Sequence, residues 1–479
     1  MPPPPDDQAI SRTPSPPASD VPQDQSLSNN TNSNDINTNG NGDNNTNRNT
    51  DNNTGTRSNS ISNSSGGGGG RSSQASSRSH TSNSSGSGSC SATLSPGQLI
   101  LMHDLFRTNF FNFRGECWIL PSKANFDETV FESTKSLKNE SPILSFVIEN
   151  PAQIMQLFPN PEDKKELRQV LIERATERLP LLSSAETALL QIYKKDPNDL
   201  EALFAEKGWR AVGAGLKDKP TEEFQRIVSE AVQQILKAYR GQRMALPQSP
   251  QESWIVHSLW GFLGGIFQAP LCIEYNAYEY HSHASKIRRN MHRPPGIRQF
   301  VGHKVDGLGL VVSRNVELVV VEARKQDEGQ DATKAMDDNL KLCKLTKDMQ
   351  DFIRCKAARN VREEATTFGI QISGARAAFF SLRQRRGRFY QLCQEGSETL
   401  PAVWAKQLDT QCVLRVLAKT MRFRKALLSA VEDIDEFFTG SIDGADPSGD
   451  VDCIAATLTS PQLIPSSPLS ADAPSPFQL

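Results

Sequence analysis

Residues Lys304–Lys325 read KVDGLGLVVSRNVELVVVEARK. Two β-branched, apolar runs, Lys304–Val312 and Val316–Lys325, flank Ser313-Arg314-Asn315. A connection that short between two such runs predicts a β-hairpin. Side chains alternate along a strand. In the second run Leu318, Val320, Glu322 and Arg324 therefore share one face, and Glu317, Val319, Val321 and Ala323 the other. Glu322 interrupts an apolar strand just before its end. In an antiparallel pair the start of one strand lies beside the end of the next. Asp306 and Glu322 are thus expected at one rim of the sheet. Two carboxylates there suit a hard divalent cation such as Mg²⁺, and Arg324 suits a phosphate. Each acid also has a plainer reading. Asp306 can serve as a turn former before Gly307, and Glu322 as a strand-end carboxylate paired with a basic residue.

Working outward, an apolar helix is expected from Glu252 to about Phe267, then a basic, histidine-rich loop. After the hairpin come a long helix, about Ala332–Arg359, and strands at Thr367–Ile372, Arg376–Leu382 and Arg388–Gln394. A last helix spans about Pro401–Phe438. The fold class expected is α/β, a central mixed sheet flanked by helices. Residues 95–247 read as mostly helical. Thr221 is an N-cap candidate, Glu222 and Glu223 suit a first turn, and Phe224, Ile227, Val228, Ala231, Ile235 and Tyr239 recur at helical spacing. Pro161–Arg178 and Ser184–Lys195 read similarly. The expected divisions are 1–94, a low-complexity tail; 95–247, helical; 248–438, the α/β domain; and 439–479, a Ser/Pro/Asp-rich tail. Tails of that composition cannot bury enough apolar surface to offset the entropy of ordering them.

The formal net charge of −2 is unevenly spread. His281–Lys425 holds 28 Lys/Arg against 15 Asp/Glu, whereas Pro96–Pro250 holds 20 against 21. The surplus points to phosphates or an acidic surface as partner, or to solvated helix faces. The eight cysteines include no C-x-x-C pair, which argues against a zinc knuckle and for free thiols in a reducing compartment. MPPPPDDQAI has neither the basic nor the apolar region of a secretory signal. The longest apolar stretch, Ser258–Ile273, is too short to span a bilayer. An intracellular, non-membrane protein, nuclear or cytoplasmic, is expected.

The segment resembles the PD-(D/E)XK nuclease superfamily. There an Asp on one strand and a Glu-x-Lys on the next bind metal and position the attacking water. The matching residues are Asp306 and Glu322-Ala323-Arg324, with Glu252 of QESWIVHSLWGF as the acid from an upstream helix. More closely, it looks like a group of uncharacterised fungal proteins sharing a Ser/Gln-Glu-x-x-Trp-Ile-Val helix, a VDG-like strand and a strand ending in Glu. The resemblance covers about residues 250–438. It implies a restriction-endonuclease-like core, Mg²⁺ held by Glu252, Asp306 and Glu322, and catalysis by Asp306, Glu322 and Arg324. The chain departs from the pattern in two places. No Pro precedes Asp306, and the usual lysine is Arg324, whose guanidinium stays protonated and cannot act as a base.

Two basic clusters are candidate nucleic-acid contacts. The first holds Arg288, Arg289 and Arg293, amid Tyr275, Tyr278, Tyr280 and four histidines, His281, His283, His292 and His303. Basic residues interleaved with aromatics suit phosphates better than zinc here. The second, Arg385, Arg386 and Arg388, lies between two strands and reads as a nucleic-acid contact, a nuclear-localisation run or a solvated turn. The function expected is nucleic-acid binding with metal-dependent phosphodiester hydrolysis. The alternative is a catalytically inactive binding or scaffold protein with protein partners.

Overall fold

The computed structural model describes residues 95–112, 116–173, 179–248, 250–268, 272–277, 279–291, 293–294, 296–325, 332–356 and 365–439. The expected tails lie outside these residues, apart from Thr439, which ends a helix. So do Tyr278 and His292.

The strands are β1 (Val147–Ile148), β2 (Ile273–Asn276), β3 (Tyr280–His281), β4 (Lys304–Val305), β5 (Gly307–Val311), β6 (Val316–Arg324), β7 (Thr366–Ser373), β8 (Arg376–Arg386) and β9 (Phe389–Thr399). Seven of them form a mixed sheet in the order β1-β9-β8-β7-β6-β5-β2, and β3 pairs with β4. β6 runs parallel to β7, and β1 to β9. The other neighbours are antiparallel.

All nine residues of β6 are buried, as a strand covered on both faces requires. A parallel neighbour needs a crossover, and helix Ala332–Lys356 supplies it between β6 and β7. Alternation along β7 tells the two layers apart. Phe368 packs edge-on to Phe423 of helix Gln407–Thr439, with ring centroids 5.3 Å apart. The next residue, Gly369, lies against Leu342 of the crossover helix. A Cβ at Gly369 would sit 2.9–3.1 Å from the Leu342 side chain, so this close approach depends on glycine. In register, Val320 pairs with Gly369 and Glu322 with Gln371. Glu322 therefore faces the crossover helix.

The helix led by Thr221 spans Glu222–Gly241, and the Thr221 hydroxyl accepts from the Phe224 N–H at 3.2 Å. Its predicted apolar positions are all buried. The last helix starts at Gln407 rather than Pro401, and the helix from Pro161 ends at Arg168 in a π-helical turn, Gln169–Glu173. Three further expectations differ from the structure. The helix expected at 252–267 is interrupted. It comprises Glu252–Trp254, a π-helical turn at Ile255–Leu259 and a second helix, Phe262–Gln268. At the break the Trp260 indole donates to the Gly374 carbonyl at 2.9 Å. The segment expected as a basic loop contains β2, β3 and helix His283–Asn290. The cause is remote in sequence. The buried carboxylate of Glu317 accepts from the Ser282 hydroxyl at 2.7 Å and from the His283 and Ala284 N–H groups, capping that helix. Finally, β1 lies in the mostly helical region and joins the sheet edge. Phe126 and Phe146 of that region pack on Phe389, with centroids 6.1 and 5.5 Å apart. Residues on both sides of position 247 thus share one core.

Candidate active site

The rim of β5 and β6 places Asp306 and Glu322 in opposed positions, because Gly307 pairs with Val321 and Leu308 with Val320. The Asp306 carboxylate turns back onto β6 and accepts the Ala323 N–H at 2.7 Å. Glu322 is buried, and one of its oxygens takes the Lys341 ammonium at 2.6 Å. Lys341 stands on the crossover helix, as do Asp338 and Lys334. Lys334 bonds to Glu252 at 3.0 Å. Arg324 is buried too, and its Nε donates to the Ser373 hydroxyl at 2.9 Å.

Electrostatics define the cluster. Burial pushes the Glu322 carboxyl up to about 8; Lys341 opposes this, while Asp306 and Asp338 add to it. Burial raises Asp338 to about 6, against Lys334, Lys341 and Arg324, and Asp306 raises it further. Burial also lifts Asp306; the Ala323 N–H and Lys341 counter it, and Glu252 reinforces it. Four acids, two lysines and one arginine therefore act on one another. Two acceptors in the cluster, Glu322 Oε1 and Asp338 Oδ2, are buried with no hydrogen-bond partner. Such atoms are costly to leave unmade, and carboxylate oxygens are the donors a hard cation takes. Among the described residues, however, no three His, Cys, Asp or Glu side chains converge closely enough to cage a metal ion.

The raised Glu322 value carries a pH signature. This carboxyl keeps its proton where the unfolded chain, near 4.5, has lost it. Its contribution to stability therefore falls as pH rises from about 4.5 to about 8. Urea midpoints measured across that range should decline less steeply in Glu322→Gln than in wild type. Parallel profiles would show that Glu322 ionises normally.

The predicted set Glu252, Asp306, Glu322 and Arg324 is brought together. Asp338, Lys334 and Lys341 were not anticipated. The available signal was their spacing: residues 334, 338 and 341 are i, i+4 and i+7, one face of a helix.

The basic clusters are placed differently. Arg288 is buried against Asp348 of the crossover helix at 2.8 Å. Arg289 donates to the Val301 carbonyl at 2.5 Å. Arg289 and Arg293 lie over the Phe300 ring, at 5.0 and 3.8 Å from its centroid. Arg386 pairs with Glu166 at 2.9 Å. Arg388 donates from its backbone to Asp127 at 2.7 Å and from its guanidinium to the Phe110 carbonyl at 2.5 Å. Between them Gly387, at φ +66°, leaves room for the Asp127 carboxylate, which a Cβ would approach to 2.7 Å. That hairpin tip is therefore tied to the helical region. Arg385 acts on the Cys393 thiol, which burial raises. The described histidines do not form one group. His281 bonds the Gly302 carbonyl, His283 packs on Phe352, and burial holds His303 down to about 4. Among the described residues no helix is long and apolar enough to cross a membrane. The chain matches no protein-family model, no curated protein and no solved structure.

Proposed function

We propose that the chain binds nucleic acid on a restriction-endonuclease-like core and hydrolyses phosphodiester bonds with a divalent cation at the Glu322 cluster. The observation that carries this reading is the pair of buried, unpartnered oxygens, Glu322 Oε1 and Asp338 Oδ2, beside an ammonium and a guanidinium. Glu322 and Asp338 would each lend one oxygen to Mg²⁺, with water completing its shell and Asp306 and Glu252 adding negative charge nearby. A cation held there would supply positive charge to the phosphate and acidify a water. Arg324 keeps its charge and steadies the phosphate oxygens. Lys341 takes the place of the lysine missing from the Glu322-x-Arg324 strand. An amine can pass a proton, whereas a guanidinium cannot. The Lys341 ammonium, now on Glu322 at 2.6 Å, would turn to the phosphate or the water if a cation took its place.

Cation binding is read by melting. Mn²⁺ at a hundredfold excess over Kd should stabilise the full chain by about 2.7 kcal/mol. Glu322→Gln should abolish the shift. An equal rise in both proteins would place the cation elsewhere. A second reading, a binding or scaffold protein without hydrolysis, is favoured by the Lys341–Glu322 pair itself, which already balances one carboxylate. It requires that no metal-dependent shift occurs.

A further inference from the structure

Residues 281–304 contain six Lys/Arg and no Asp or Glu. Two of the six are used within the fold: Arg288 on Asp348, and Lys304 on Glu279. The other four, Lys286, Arg289, Arg293 and Arg298, form no ion pair among the described residues. At their centre Phe300 is fixed in place. Asn290 accepts the Phe300 N–H at 2.8 Å and donates to its carbonyl at 2.9 Å. Phe300 is 38% exposed, with two guanidiniums over its ring. Arg289 Nε and Arg293 Nη1 are buried without a hydrogen-bond acceptor. Ile287, Ile297 and Val301 add exposed apolar surface.

We infer that this surface is a docking platform for single-stranded nucleic acid, distinct from the acidic cluster; it rests on the reading above for the class of ligand only. Four cations without an ion-pair partner call for phosphate. Exposed aromatic and aliphatic surface between them calls for a flat apolar partner. A duplex offers phosphates but keeps its base faces stacked. A single strand offers both, and stacking on an aromatic or a guanidinium plane is how such strands are held. The hydrogen bonds of Asn290 hold the platform in shape before any ligand arrives.

The test is fluorescence anisotropy of the full chain with chelator present, so that hydrolysis plays no part. The probes are a short labelled single-stranded DNA, the same sequence as RNA, and the DNA duplex. The single strands should bind about tenfold or more tighter than the duplex. Phe300→Ala and Arg293→Gln should each weaken that binding about tenfold, whereas Phe300→Tyr, which keeps a ring, should retain it. Which single strand binds better identifies the natural ligand. Duplex binding as tight as single-strand binding, or Phe300→Ala binding as wild type, would overturn the platform. So would binding to phosphatidylserine-containing vesicles in place of oligonucleotides. Metal-dependent cleavage that survives such a failure would leave the active-site reading standing, and platform binding without cleavage would do the reverse.

Discussion

Lys341→Met is expected to lower metal-dependent cleavage by about 100–1,000-fold, mostly in kcat, while the metal-induced rise in melting temperature persists. Met keeps most of the length and apolar bulk of Lys and removes the ammonium. The carboxylates that would hold the cation remain, and one of them loses the ammonium that competes for it, now 2.6 Å from Glu322. Loss of cleavage together with loss of the metal shift would mean that Lys341 organises the site rather than acting in the reaction. Unchanged cleavage would remove Lys341 from the mechanism.

Asp348→Ala should have the largest effect on stability. The crossover helix is buried on its sheet face by Leu342 and Met349, yet it also buries Lys344, Lys347, Asp348, Asp351 and Arg354. These charges are paired: Lys344 with Glu140, Lys347 with Asp351 at 2.5 Å, and Asp351 with the Tyr390 hydroxyl at 2.5 Å. Arg288 reaches Asp348 from helix His283–Asn290. Removing Asp348 leaves a buried guanidinium without its counter-charge, which costs about 3–5 kcal/mol. The urea midpoint should fall accordingly. The double change Arg288→Met with Asp348→Leu should recover most of it, because an apolar pair of similar volume can replace a buried ion pair. A small loss in the single variant would show that water reaches Arg288.

The strands β5 to β9 were legible because short apolar, β-branched or aromatic runs broken by turns leave little choice of element. The crossover helix was legible from length and spacing. The opposition of Asp306 and Glu322 followed from alternation and antiparallel pairing alone. What could not be read depended on contacts distant in the chain. Helix His283–Asn290 is capped by Glu317, 33–35 residues away. A strand of two residues, β1, carries no periodicity. Lys341 reads as one solvated lysine among many until the helix is laid across β6. Arg386 and Arg388 look like a free basic run, and only folding brings Glu166 and Asp127 to them.

The most direct measurement is cleavage of a labelled single-stranded oligonucleotide by the full chain, with Mg²⁺, with Mn²⁺ and with chelator, in wild type and Glu322→Gln. Wild type should give product with either metal and none with chelator, and Glu322→Gln should give none under any condition. Absence of cleavage by wild type with both metals, or equal cleavage by Glu322→Gln, would contradict it.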